Sequence, residues 1–254
     1  MDLKARLKAE LWLRFGDKNS PGEWDGNVLG GGKLSQRFWE YFQAIEMLDL
    51  TPDSVVLDIG GGSPVTGAGF FAATLARHVK QVHIMDVSIK DSLRSDNNII
   101  YHRQLATYDN LCALFKAHPE ITHVACLSVF EHIEPTVRVG IVRGINDAFT
   151  GDTFVSTLEY HTRKCFFEHQ LTAATLSDLF KPMTRFYLDA IEKSPVYAMD
   201  AYETGLKSFD FKTHTLMLRI GWYLRLFGLY KAPWETYIPA WYPLALKFVK
   251  LPES

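Results

Sequence analysis

The sequence predicts an α/β chain: a mostly parallel, doubly wound sheet with helices on both faces. The first observation is VVLDIGGGSP, Val55 to Pro64. Two valines, a leucine and an isoleucine there read as a strand buried on both faces, and the glycines after them force a tight turn. The turn opens into VTGAGFFAATLARHV, an Ala-rich helical stretch, which completes a strand, glycine loop and helix. The second observation is QVHIMDVS, an apolar strand ending at Asp86. The third is ITHVACLSVFEHI, a strand buried through Val124, Cys126 and Leu127 and opening at Ser128.

At 254 residues with 47% apolar and 13% aromatic content, the chain can bury one large core, so one catalytic domain with appendages is expected. A net charge of -2 gives no overall basic surface. Nucleic acid is therefore disfavoured as a partner, and a small molecule or glycan is the better substrate class. The three cysteines, Cys112, Cys126 and Cys165, show neither CxxC spacing nor an even count. That argues against a disulfide framework or a zinc site, leaves no metal expected, and fits a reducing cytosol. MDLKARLKAELWLRF carries charges at every turn and lacks the apolar run of a signal peptide, so a cytoplasmic location is expected.

Asp58 decides what the glycine turn would hold. It ends the first strand just ahead of Gly60, Gly61 and Gly62. A dinucleotide would bring a pyrophosphate here, and a carboxylate so close would repel it. S-adenosylmethionine brings an ammonium and a sulfonium instead. The order hydrophobic, hydrophobic, Asp, x, Gly, x, Gly suits that cationic ligand, and here the chain resembles the first motif of the class I S-adenosylmethionine-dependent methyltransferases. The resemblance runs from Leu34 to Ile220 and is strongest at the first, second and fourth strands. It implies a Rossmann-like fold, S-adenosylmethionine as cofactor, and methyl transfer to a nucleophilic oxygen or nitrogen. The chain departs from the family at Pro64, where a third glycine is usual, so Gly67 or Gly69 takes that role.

Taken in order, Leu3, Leu7, Leu11 and Phe15 form a helical stripe, expected as a lid or an interface. GDKNSPGEWDGNVLGGGK is an irregular loop with Trp24 as its anchor. Leu34 to Leu48 reads as a helix capped by Ser35, with Phe38, Tyr41, Phe42 and Ile45 on one side. On it, Arg37 is placed to pair with the cofactor's carboxylate in a forked geometry. Gly69 to Val79 is the first core helix. Asp86, at the carboxyl end of its strand, is placed to accept hydrogen bonds from ribose hydroxyls, as the family's acid does. Asn98 to Tyr101 is a short strand, after which family members often place an acid for the adenine amino group. Gln104 stands there instead and could accept that bond through its amide oxygen.

The fourth strand resembles the segment that passes the methionine end of the cofactor, which makes Ser128 a contact. Beyond it, His132 is either a general base for a hydroxyl acceptor or a residue on the rim beside a dipole-favoured Glu131. Val137 to Phe149 reads as a helix. Thr153 to Leu158 reads as the fifth strand, with Glu159, Tyr160 and His161 at its carboxyl edge and His161 as a second candidate base. Thr172 caps a helix, TRFYLDAIE reads as a strand, and the alternation in Thr213 to Ile220 suits the family's antiparallel last strand, with a helix as the alternative.

The tail concentrates Trp222, Tyr223, Phe227, Tyr230, Trp234, Tyr237, Trp241 and Tyr242. No uncharged run reaches the roughly 20 residues that span a bilayer. With Arg225, Lys231 and Lys247 the tail suits a membrane surface, a homodimer interface or a wrap around the core. The expected division is a helical cap over 1–50, a catalytic domain over 51–220 and an aromatic extension over 221–254. Two other readings stand beside the methyltransferase. Gly67 to Ala72 matches the GxGxxA of NAD-dependent oxidoreductases, with Asp86 at nearly the right interval, although it starts far beyond Ile59. The third is a methyltransferase-like protein that binds without catalysis.

Overall fold

Val55, Val56, Leu57 and Ile59 are all buried, so the first strand, β1 (Val55–Ile59), is covered on both faces. The computed structural model describes residues 2–15, 32–62, 67–95, 98–161, 169, 171–193 and 241–252, with backbone alone for 12–15, 32–37 and 241–242. Beside β1 lie β2 (Gln81–Met85) and β4 (His123–Leu127), both parallel to it. Outward from these, β3 (Ile99–His102) pairs with β2 and β5 (Thr153–His161) with β4, again parallel. β6 (Phe186–Lys193) closes the far edge, and β7 (Trp241–Lys250) runs antiparallel between β5 and β6. The strand order is β3-β2-β1-β4-β5-β7-β6.

Side chains alternate along each strand, and the two faces build two apolar layers. Val55, Leu57, Ile59 and Met85 pack against α4 (Tyr108–Ala117), α5 (Pro135–Ala148) and α6 (Ala173–Phe180). Val56, Val82 and Ile84 pack against α1 (Leu3–Phe15), α2 (Gly32–Leu48) and α3 (Phe70–Leu75). The chain leaves β1 toward β2 and β3, then returns to β4 on the other side. Connections therefore diverge at the carboxyl ends of β1 and β4, where a sheet of this kind opens a crevice.

Local signals explain most boundaries. Thr172 caps α6 in a reciprocal pair with Thr175, and the Glu134 side chain caps α5 ahead of Pro135. α2 begins at Gly32, so Ser35 lies inside the helix and is not its cap. α3 ends at Leu75, short of the expected Val79. The Leu75 carbonyl accepts from both His78 and Val79, at 2.8 and 3.0 Å, and Lys80 N–H turns to the Ser54 carbonyl at 3.1 Å. The tightened turn delivers Gln81 opposite Val55, where β2 must start.

The carboxyl end differs most from expectation. Residues 213–220, read as the antiparallel strand, lie outside the described residues, as do Trp222 through Tyr237. The antiparallel strand that the sheet contains is β7, drawn from the segment assigned to an aromatic extension. Leu244, Leu246 and Phe248 join the α5–α6 layer while Ala245 joins the other, so both faces are buried. Lys247 does not point to a membrane surface: it pairs with Asp49 at 2.7 Å and Asp189 at 3.3 Å, tying β7 to the turn before β1 and to β6. Among the described residues no helix is long and apolar enough to cross a membrane.

Candidate functional site

At the end of β1 the chain turns through Gly60, whose φ of +73° lies in the left-handed region that favours glycine. Its N–H donates to the Met85 carbonyl at 2.9 Å, so the turn is pinned to the end of β2. The next residue passes directly over Asp58, since a Cβ at Gly61 would sit 2.0 Å from Asp58 Oδ2. Gly62 N–H donates to Asp86 Oδ2 at 3.2 Å. Residues 63–66 lie outside the described residues, but the loop closes again where Gly69 N–H donates to the Gly61 carbonyl at 2.6 Å. Gly69 is the residue before α3.

This turn carries an unusual charge balance. Asp58 is buried, and burial first and the Asp86 charge second push its carboxyl up to about 8. Near neutral pH it therefore holds a proton unless a cation arrives. Asp86 is half-buried and oriented: its Oδ1 accepts from Ser88 N–H at 2.7 Å, and its own N–H donates to the His102 carbonyl at 3.1 Å. A carboxylate held by backbone donors on one side keeps lone pairs for hydroxyl donors on the other. Asp86→Ala should weaken binding of a ribose-bearing cofactor by about 1.5–3 kcal/mol, the range for a hydrogen bond to a charged group. Calorimetry on the folded variant checks this, and unchanged affinity would move the ribose contact elsewhere.

Gln104 follows β3, half-buried, with its N–H also on the His102 carbonyl, at 2.9 Å. One carbonyl thereby holds the ends of β2 and β3 in a common rim. Ser128, at the end of β4, takes a φ of +50°, a conformation that costs about 1–2 kcal/mol for a residue with a Cβ. It is kept there by N–H bonds to the Thr157 carbonyl at 2.9 Å and Thr157 Oγ1 at 3.1 Å, and by its hydroxyl, which donates to Glu40 Oε1. Such strain concentrates where geometry serves a ligand. Glu40 is fully buried on α2 and went unnoticed in the sequence. The available signal was its helical spacing, which puts a carboxylate on the same face as Ala44 and Met47, both buried.

Beyond Ser128 the chain makes a 3-10 turn, Phe130–His132. His132 is exposed on it, while Glu131 is buried. Val129, just before the turn, leans over Gly60, where a Cβ would lie 2.4 Å from its Cγ2. The Arg138 guanidinium braces the turn from beneath by donating to the Phe130 carbonyl at 3.4 Å and the His169 carbonyl at 3.1 Å. His161 is in a different situation. It is 1% exposed, its N–H donates to the Leu171 carbonyl at 2.6 Å, and its Nδ1 accepts from Leu171 N–H at 3.1 Å. Burial above all holds its ring neutral.

The structure thus brings Asp58, Gly60, Gly61, Gly62, Asp86 and Ser128 to the carboxyl edge of the sheet, with Gln104 and His132 on flanking turns. His161 is locked into the joint between β5 and Leu171. Arg37 lies on α2, with its side chain outside the described residues. Gly67 to Ala72 does open α3, as the NAD fingerprint requires. It does so only after the Gly60 turn, however, and the antiparallel β7 breaks the all-parallel strand order of dinucleotide-binding sheets.

No protein-family model matches the chain, and no curated protein matches it. Solved structures resemble it over nearly its whole length. The cyclopropane synthase MmaA2 from Mycobacterium tuberculosis is 11% identical, with 98% of this chain and 94% of that one covered and a TM-score of 0.57. Geranyl diphosphate C-methyltransferase from Streptomyces coelicolor A3(2), solved with S-adenosyl-L-homocysteine, is 9% identical over 96% and 98%, with a TM-score of 0.56. The cyclase SpnF is 12% identical over 97% and 94%, with a TM-score of 0.55. In strand order, in the antiparallel β7 and in these likenesses, the chain has the fold of the class I S-adenosylmethionine-dependent methyltransferases.

Proposed function

We propose that the chain is an S-adenosylmethionine-dependent methyltransferase that acts at an oxygen of a small-molecule or glycan acceptor. The observation that carries this reading is the pair Asp58 and Asp86 around the Gly60–Gly62 turn, close enough for one charge to raise the other's pKa. A site that holds two acids against a backbone turn invites a cationic nucleoside. The neighbour solved with S-adenosyl-L-homocysteine supports the same cofactor class.

Bound there, the cofactor supplies an electrophilic methyl group. Asp58 would face its positive end and Asp86 its ribose, with Gln104 on the adenine side. Ser128, fixed by Glu40 and Thr157, shapes the floor between them. His132 would take the acceptor's hydroxyl proton at a ring nitrogen as the acceptor oxygen bonds to the methyl carbon, whose bond to the sulfonium sulfur breaks to leave the neutral thioether. Alignment of the acceptor supplies much of the remaining acceleration.

Calorimetry with S-adenosylmethionine, its demethylated product and NAD tests the reading. A cation meeting a protonated Asp58 should expel the proton, so affinity should rise with pH between about 6 and 7.5, below the ammonium's own titration. A pyrophosphate would favour the protonated acid and reverse the slope. Saturable NAD binding with no response to either methionine nucleoside would overturn the assignment. A screen of hydroxyl acceptors with labelled cofactor then identifies the substrate class.

A further inference from the structure

On the α4 side of the sheet, away from the glycine turn, three of the chain's nine histidines meet. They come from three elements: His83 from the middle of β2, His102 from the end of β3, and His118 from the residue that terminates α4. Their candidate ligand nitrogens all lie within 4.8 Å of one another. The His83 and His102 rings stack at 5.2 Å and 14°, and the His118 ring stands edge-on to both, at 69° and 67°.

We infer that His83, His102 and His118 form a site for a divalent transition metal of the zinc type, which clamps the β2–β3 edge to the end of α4. The outward nitrogens decide the case. His83 Nε2 lies 3.0 Å from Gln81 Oε1, an acceptor, so Nε2 carries the proton and Nδ1 presents its lone pair to the cluster. His118 Nδ1 lies 2.9 Å from the Glu120 carboxylate, which leaves Nε2 as its ligating nitrogen. Metal-bound histidines are oriented in this way, by a carboxylate or amide oxygen on the far nitrogen. His102 Nε2 is 3.0 Å from His83 Nδ1 and turns to the metal by shifting its proton to Nδ1.

The spacing fits the ion. Zinc–nitrogen bonds of about 2.0–2.1 Å in a tetrahedron separate the nitrogens by roughly 3.4 Å, a value between the 3.0 Å from His83 Nδ1 to His102 Nε2 and the 4.8 Å that bounds the cluster. Three imidazoles leave a fourth position for water, and neutral nitrogen ligands suit zinc, cobalt and nickel better than magnesium or calcium. The His102 carbonyl also holds Asp86 N–H and Gln104 N–H, so a metal on this residue would stiffen the rim that those two side chains share.

The test uses the full chain stripped with a chelator and titrated with Co²⁺, whose visible absorption reports tetrahedral nitrogen coordination. One Co²⁺ per chain is expected, with the band displaced by Zn²⁺ and the melting temperature raised by either ion. His118→Gln, at a half-exposed position that a folded chain tolerates, should weaken Co²⁺ by about 100-fold or more, and Glu120→Ala by about 10–100-fold. A folded chain with no band, or with the same affinity in His118→Gln as in the native protein, would overturn the site. Those results would leave the three rings as a packed cluster held by the His83–His102 hydrogen bond and the edge-on His118 ring. None of these readouts depends on methyl transfer.

Discussion

Asp58→Asn should make the ligand-free protein more stable above about pH 5 while removing most of its affinity for a cationic cofactor. The sign follows from the direction of the shift. Burial and Asp86 raise the folded-state pKa from the ordinary 3.8 to about 8, so between those values the folded chain keeps a proton that the unfolded chain has released. The associated stability is full below the unfolded pKa and lost as pH rises through the folded one. Asparagine occupies the same volume, resembles the protonated acid and carries no such loss. The gap in stability between variant and native protein should therefore open from pH 5 upward, toward a ceiling of roughly 6 kcal/mol near pH 9. Meanwhile the charge-assisted contact to the ligand disappears, worth about 1.5–3 kcal/mol or roughly 10- to 100-fold in affinity. Melting curves of both proteins across that pH range, paired with calorimetry, decide the matter. Parallel stability profiles would mean that Asp58 is already ionised in the empty site.

The parts of this architecture legible in the sequence are those whose cause is local. β1, β2 and β4 are mostly apolar because both of their faces are covered, and the glycines after β1 announce a turn that a Cβ would block. Thr172 shows as a cap for the same reason, since its partner Thr175 is one turn away. What escaped depends on distant residues. β7 begins with an aromatic pair and contains Pro243, a residue that argues against an interior strand. Only its place between β5 and β6 makes Leu244, Leu246 and Phe248 core. Glu40 belongs to the site through Ser128, 88 residues further along the chain. His83, His102 and His118 have no motif spacing, and the fold alone makes them neighbours. His161 was legible as a residue at the carboxyl edge of β5, but not the bond from Leu171 that occupies its Nδ1.

That bond bears on the last prediction, because it separates the two candidate bases. With Nδ1 accepting from Leu171 and the ring neutral, His161 carries its proton on Nε2 and has no lone pair left to offer an acceptor. His132 is exposed, on a turn fixed by its own N–H to the Val129 carbonyl at 3.0 Å and by Arg138 beneath. His132→Ala should therefore leave cofactor affinity nearly intact and lower turnover by about 10²–10⁴-fold, the contribution of a positioned acid or base. Under the proposed function, methyl transfer by the native chain should also fall in acid, since only a neutral imidazole accepts a proton, and the variant should lack that limb of the profile. His161→Ala should instead lower thermal stability, through the unpaired Leu171 N–H, by about 1–3 kcal/mol, and keep the native pH profile in whatever fraction stays folded. A loss of less than a few-fold in His132→Ala, with chemistry shown to be rate-limiting, would mean that the acceptor reaches the methyl group already ionised or that another group takes its proton. The pH profile of the variant tells these apart, because an ionised acceptor carries its own titration into the rate and a second protein base carries a different one.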